Sequence, residues 1–291
     1  MPYTCHMKDH LKSVTDYDRM KPIAALRGIV ESLWVQDASA GQIESQSSVL
    51  PTGTVEILFH YGDRFVHIEG DARHSVPRSY ITGQRTRSVT PVSTGCTGIV
   101  IASLYPWALG RLFGGAAPDL TDGYTDLKLL LPVDTVTKME DQLQEVTRQQ
   151  RIESLQCFLL ALLQDAPANP RVETAVRLLA SAPWLPHIDR LAHRLGLSER
   201  HFRRLFTSEV GISPKLFHRI MRFQRTMQYR TAELPWSRVA AVCGYADQAH
   251  LIREVVEFSG RTPRQVPSAG SAVDEVFNGA EVSDFFNTIY L

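Results

Sequence analysis

The feature that most constrains the fold is an internal repeat. Leu191-Ala-His-Arg-Leu-Gly-Leu-Ser198 resembles Val239-Ala-Ala-Val-Cys-Gly-Tyr-Ala246, with Ala192 matching Ala240 and Gly196 matching Gly244 at an offset of 48. Past the glycine the offset becomes 49: Phe202 matches Leu251, Arg204 matches Arg253, Phe206 matches Val255, Gly211 matches Gly260 and Pro214 matches Pro263. The second copy therefore carries one extra residue in its turn. An apolar stripe (Leu191, Ala192, Leu195), a small residue where two helices cross, and a glycine able to enter the left-handed region spell helix, tight turn, helix. Ser198 is suited to cap the second helix. Phe202, Leu205 and Phe206 then face inward and leave Arg200, Arg203 and Arg204 outside. In such a unit the second helix enters the major groove by its N-terminal end. One helical hairpin would say little. Two, joined by a long helix over Ser213–Thr231, predict a rigid module that reaches successive major grooves, about 34 Å apart on one face of the duplex.

The charge pattern agrees. The net charge is zero, but residues 167–267 hold 16 basic against 8 acidic residues, residues 1–166 hold 15 against 19, and residues 268–291 hold none against 4. Fifteen of the 16 basic residues in the central block are arginine, which pairs bidentately with phosphate and with guanine. A basic block between acidic ones predicts a polyanionic partner.

At 291 residues the chain has room for about two domains. The proline-containing stretch Asp165-Ala-Pro-Ala-Asn-Pro170 marks the boundary. This gives an N-terminal domain over 1–166, a DNA-binding domain over 167–267 and an acidic tail over 268–291. The tail ends in Phe285-Phe-Asn-Thr-Ile-Tyr-Leu291, and its aromatic end favours docking over disorder. No apolar run approaches the roughly 18 residues of a membrane span, and Met1–His10 contains no secretory apolar segment. The four cysteines lie far apart with no CxxC pair, which points to a reducing cytoplasm rather than a disulfide framework or zinc module.

The first half reads as short strands over Ile29–Gln36, Thr54–His60, Phe65–Glu69, Arg78–Thr82 and Gly98–Ser103, separated by glycine-containing turns, hence an antiparallel sandwich or barrel. Pro106–Phe113 reads as a short helix. Asp134 to about Leu163 reads as a longer helical stretch, either packed on the barrel or used as a dimerisation pair. The whole is α+β. His60, His67 and His74 recur every seven residues, but a step of seven switches strand faces, so no shared metal site is expected. Neither a nucleophile elbow nor a glycine-rich phosphate loop is present, so neither catalytic residues nor a cofactor are expected.

Residues 171–266 resemble the DNA-binding domain of the AraC/XylS family of transcription regulators. The resemblance is carried by Leu191–Phe206, Gly211-Ile-Ser-Pro214, Gly244-Tyr-Ala-Asp-Gln-Ala-His-Leu-Ile-Arg253 and Gly260-Arg-Thr-Pro263. Residues 22–165 resemble, more weakly, a poorly characterised N-terminal domain fused to some members, through Trp34, Leu50-Pro-Thr-Gly53 with Glu56-Ile-Leu-Phe59, Gly83-Gln-Arg-Thr86 and Tyr105-Pro-Trp-Ala108. The resemblance implies a bacterial one-component regulator whose N-terminal domain is a cupin-like barrel that binds a small-molecule effector or forms a homodimer. It implies double-stranded promoter DNA as partner, RNA polymerase as a second partner if the protein activates, and no membrane. It places base or phosphate contacts at Arg200, Arg203 and Arg204 in the first unit and at Gln248, His250 and Arg253 in the second. Two positions depart from the family pattern. A serine-like cap is expected where Ala246 stands, leaving Asp247 to compensate through the helix dipole, and an aromatic residue is expected where Val255 stands.

Residue type alone suggests Trp34, Glu56, Phe59, Tyr61 and Arg85 as contributors to an effector pocket, with simple core packing the alternative for Trp34 and Phe59. Two other classes compete with the regulator: a cupin-like metal-dependent enzyme tethered to DNA, and a ligand-independent DNA-binding protein.

Overall fold

The computed structural model describes residues 16–38, 48–69, 71–163, 169–229 and 234–266. The acidic tail and most of the linker lie outside the described residues.

Among the described residues, nine strands build the first half: β1 (Asp16–Met20), β2 (Val30–Ala38), β3 (Val55–His60), β4 (Phe65–Glu69), β5 (Ala72–Ser75), β6 (Ser79–Thr82), β7 (Thr90–Ser93), β8 (Thr97–Leu104) and β9 (Tyr124–Asp126). They form an antiparallel sheet in the order β1-β2-β8-β3-β6-β9 and a smaller one in the order β5-β4-β7. Among the described residues the sheets do not close, so the expected barrel is an open two-sheet arrangement.

The larger sheet is buried on both faces. Val55, Ile57 and Phe59 of β3 enter one core, while Leu58 points to the other side, against Phe65, Val76 and Val89. Period-two alternation between two cores explains why β3 is apolar almost throughout.

The helical stretch is two helices, α2 (Val133–Gln142) and α3 (Arg148–Leu163), after α1 (Ala108–Phe113) and a 3-10 turn over Gly114–Leu120. The chain breaks at Leu143, where Arg151 Nε donates to the Leu143 carbonyl at 2.9 Å and Nη2 to that of Gln144 at 2.9 Å. The guanidinium thereby satisfies carbonyls that the end of α2 leaves open. Val136, Met139, Ile152, Leu155 and Phe158 all enter the sheet's core, with Phe158 edge-on to Phe59 at 5.2 Å. The apolar stripe of this helix pair is thus buried within the chain.

The second half is helical: α4 (Pro170–Ser181), α5 (Ile188–Arg194), α6 (Glu199–Val210), α7 (Pro214–Gln228), α8 (Trp236–Val242) and α9 (Gln248–Ser259). One core unites them, and it includes Leu50 and Trp107 from the first half. The N-terminal motifs converge on this junction. Gly53 (φ +80°) lies so close to Met221 that a Cβ there would strike its methyl group. Gln84 Nε2 holds the Gly53 carbonyl at 3.0 Å, and Gln224 Nε2 donates to the Pro51 carbonyl. Tyr105 stacks on Trp107 at 4.6 Å, with the Arg177 guanidinium of α4 5.0 Å above the indole. Thr121 Oγ1 donates to the Gly211 carbonyl at 3.2 Å and Ser88 Oγ to that of Ser259 at 2.9 Å.

Candidate nucleic-acid interface

The repeat is realised as two helix-turn-helix units on α7. In each, a glycine in the left-handed region ends the first helix, Gly196 at φ +70° and Gly244 at φ +75°. The following amide bonds back to the small alanine, Leu197 N to the Ala192 carbonyl at 3.0 Å and Tyr245 N to that of Ala240 at 2.9 Å. At Gly244 a side chain is doubly excluded, since a Cβ would also meet the Pro183 carbonyl oxygen at 2.2 Å. The second helices end on Gly211 and Gly260, again both left-handed.

The caps correct one expectation. Ser198 Oγ accepts from His201 N at 3.3 Å, as its position requires. In the second unit the extra turn residue moves the cap on by one, and Asp247 itself accepts from His250 N at 2.7 Å. Asp247 is a direct cap as well as a charge at the helix N-terminus.

Arg200, Arg203, Arg204, Gln248 and Arg253 are exposed near the N-terminal ends of α6 and α9, and His250 is partly buried. Arg203 is tied to Glu199 one turn back, with Nη2 to Oε1 at 2.7 Å. Among the described residues, Arg200, Arg204 and Arg253 carry no ion pair, which leaves their guanidinium groups available to a polyanion. Val255 is buried where the first unit has Phe206. Phe206 packs on Phe202 and Phe217, whereas in the second unit Phe258 supplies the ring, 5.3 Å from Phe223.

An ionic network inside the second unit has no signature in the sequence. Glu254 is 2% exposed. It accepts from Arg222 Nη2 at 2.6 Å and Nε at 3.1 Å, from Arg219 Nε at 3.0 Å and from Tyr245 Oη at 3.2 Å. Arg222 lies 4.4 Å over the Tyr245 ring, and His250 meets the same ring edge-on at 5.3 Å. Burial pushes the Tyr245 phenol above its ordinary pKa. Arg225 is buried too and donates to the Ala180 carbonyl at 2.8 Å, at the end of α4. His218 lies against the Ala182 carbonyl at 3.1 Å, and burial lowers its pKa to about 4. Arg219, Arg222 and Arg225 therefore serve the interior, and the block's raw charge overstates what faces outward.

The residues suggested for an effector pocket separate. Glu56 and Arg85 line a narrow cleft between the two sheets, with Leu58, His67, Tyr80 and Thr82. Phe59 lies on the opposite face of the sheet, in the core against Phe158. Tyr61 donates to Asp37 at 2.7 Å under the Arg151 guanidinium, and Trp34 donates to Ser32 at 2.9 Å with Arg19 above its ring.

Residues 191–268 match a family described as a helix-turn-helix domain, and residues 18–126 match a domain of unknown function, DUF6597. No curated protein matches the chain. Among solved structures, ToxT from Vibrio cholerae is 10% identical, with a TM-score of 0.40, over 86% of this chain and 95% of its own. The AraC-like transcriptional activator CuxR is 13% identical, with a TM-score of 0.25, over 71% and 84%. Both likenesses are too weak to carry a function across. Among the described residues no helix is long and apolar enough to cross a membrane. The paired units, their glycine turns and their matched domain agree: the chain carries a helix-turn-helix domain joined to an N-terminal domain of unknown function.

Proposed function

We propose that the protein reads promoter DNA through both units at once, with Arg200, Arg203 and Arg204 in one major groove and Gln248, His250 and Arg253 in the next. The observation that supports this is that both second helices are capped at the end bearing these side chains and are tied to one connecting helix. Arginine can read guanine bidentately and Gln248 can read adenine, while the other basic residues hold phosphate. Affinity is then largely electrostatic and falls linearly in log–log terms with salt.

The finer reading is a binding protein in the cytoplasm, not an enzyme. An effector in the N-terminal domain shifts the balance between two packings of that domain on the reader. Homodimerisation, and RNA polymerase contact where the protein activates, rest on the family resemblance alone.

Selection of DNA from a random pool tests the double reading. Wild-type protein should enrich two boxes about one helical turn apart. Arg203→Ala should erase information in one box and Arg253→Ala in the other. A single enriched box, or equal loss from both boxes in each variant, would overturn it.

A further inference from the structure

We propose that residues 83–88 and the turn at Asp122 form a brace that fixes the angle between the two recognition helices, α6 and α9, and with it the spacing of the DNA boxes the protein accepts. This rests on the double reading above and assigns Ser88, Thr121 and Asp122 as positioning residues for specificity.

The sheet half touches both recognition helices, and it does so at their C-terminal ends. On α6, Thr121 Oγ1 donates at 3.2 Å to the carbonyl of Gly211, the residue that caps the helix. A Cβ on Gly211 would stand 2.8 Å from the Ala117 carbonyl oxygen, so two backbones meet there with no room for a side chain. Glu209, in the last turn of α6, lies directly against Gly110 of α1. On α9, Ser88 Oγ donates at 2.9 Å to the carbonyl of Ser259, the last residue of the helix. Each helix has 12 residues, a length of about 18 Å. The supports therefore sit far from the capped ends near which the candidate DNA contacts begin.

The two supports are one piece. Ser88 lies between β6 and β7, and Thr121 just before β9. Asp122 laces these segments together: it accepts from Thr86 N at 2.7 Å and from Thr86 Oγ1 at 2.5 Å, and its own amide donates to the Gln84 carbonyl at 2.9 Å. Gly83 N donates to the Leu120 carbonyl at 3.1 Å, and a Cβ on Gly83 would collide with that backbone. Asp122 has φ +56° and is the one non-glycine residue with positive φ among the described residues. Aspartate enters that region more readily than most side chains, and here the bonds to Thr86 hold it. Gln84 carries the same piece to the connecting helix, since it holds the Gly53 carbonyl and Gly53 presses on Met221 of α7. One laced segment thus reaches α6, α7 and α9.

Inside the reader, α6 and α9 each lean on α7, Phe206 against Phe217 and Phe258 against Phe223. A joint at each end of one helix lets the angle between the outer two change. A second support that touches both removes that freedom. On DNA the angle has a direct readout. One base pair added between two boxes moves the second about 3.4 Å along the duplex and turns it about 35° around the axis. A braced reader rejects that displacement, and an unbraced one follows it.

The test uses full-length protein and duplexes carrying the two boxes returned by selection from a random pool, with the spacer changed by one and two base pairs either way. Wild-type affinity should fall at least about tenfold for a change of one base pair, the scale of one mismatched pair. Asp122→Gly permits the same backbone conformation and removes the lacing carboxylate. Ser88→Ala cuts the α9 tie alone. Both variants should lose under about threefold on the same change, below that scale, with base preferences inside each box unaltered. Asp122→Asn keeps an acceptor and tolerates positive φ, so it should restore the wild-type profile. If Asp122→Gly fails to fold, Ser88→Ala decides, because it removes a single hydroxyl. Weaker binding with an unchanged spacer profile would make these contacts merely structural and overturn the proposal. So would a wild-type protein that reads both boxes at every spacing. A wild-type protein that enriches one box only sinks the double reading, and the brace falls with it.

Discussion

The two helix-turn-helix units share turns and terminal glycines but are built on different electrostatics. In the first, the acid near the recognition helix is Glu199, half exposed and paired with Arg203 at the surface. In the second it is Glu254, buried and shared by Arg222, Arg219 and Tyr245. The first unit keeps its arginines outside; the second spends a carboxylate and two arginines on fixing α9 to α7. A repeat can thus conserve backbone geometry while reassigning its charges from partner contact to internal support.

The largest effect should come from breaking the buried member of this contrast. Glu254→Gln leaves Arg222 buried without a counter-ion and should cost about 3–5 kcal/mol. Glu199→Gln should cost at most about 1 kcal/mol. Urea denaturation of both variants measures the gap, and equal losses would dissolve the distinction. Next come the exposed arginines. Arg203→Ala and Arg253→Ala should each cost about 1–3 kcal/mol of discrimination if they read a base. If instead they hold phosphate, each should lower the salt slope by about one unit with little change in sequence preference. Binding isotherms across a salt series separate the two. Phe206→Val should destabilise by about 1–3 kcal/mol through lost packing, whereas Val255→Phe should overfill its site at a similar cost. A stabilising Val255→Phe would mean that the second unit is underpacked. The smallest effect is at the caps, where Ser198→Ala and Asp247→Ala should each cost about 1 kcal/mol.

Acid should strain the sheet half more than the reader. His60 and His67 are held by burial at about 3 and His218 at about 4, all below the ordinary 6.5. Below pH 6.5 the unfolded chain takes up these protons and the folded chain does not, so stability falls with pH until the folded values are reached. Two of the three groups lie in the sheet half. Hydrogen exchange at pH 7 and pH 5 should therefore show its protection falling further.

Much of the reader was legible because helix-turn-helix structure depends on local chemistry: glycine at the turn, a cap, and an apolar stripe at helical spacing. The strands β2, β3, β4, β6 and β8 were legible from their apolar, β-branched and aromatic runs between glycine-containing turns. The short strands β1, β5, β7 and β9 were not, since β5 is wholly exposed and β9 spans three residues, too little for alternation to show. The pocket guess mixed strand parities. Phe59 and Tyr61 cannot share a face with Glu56 on a regular strand, and only Glu56 and Arg85 meet in the cleft. The charge count treated every arginine as outward, because nothing local distinguishes Arg222 and Arg225, which complete an interior, from Arg200 and Arg204.

The seam at Gly53 limits how far this molecule can be taken apart. Leu50 and Trp107 belong to the reader's own core, and the Pro51 carbonyl is already taken by Gln224. A reader grafted onto a foreign sensor would arrive with Phe217 and Met221 uncovered and would tend to clump. Chimeras should therefore carry the Leu50–Gly53 loop and Trp107 along with α7.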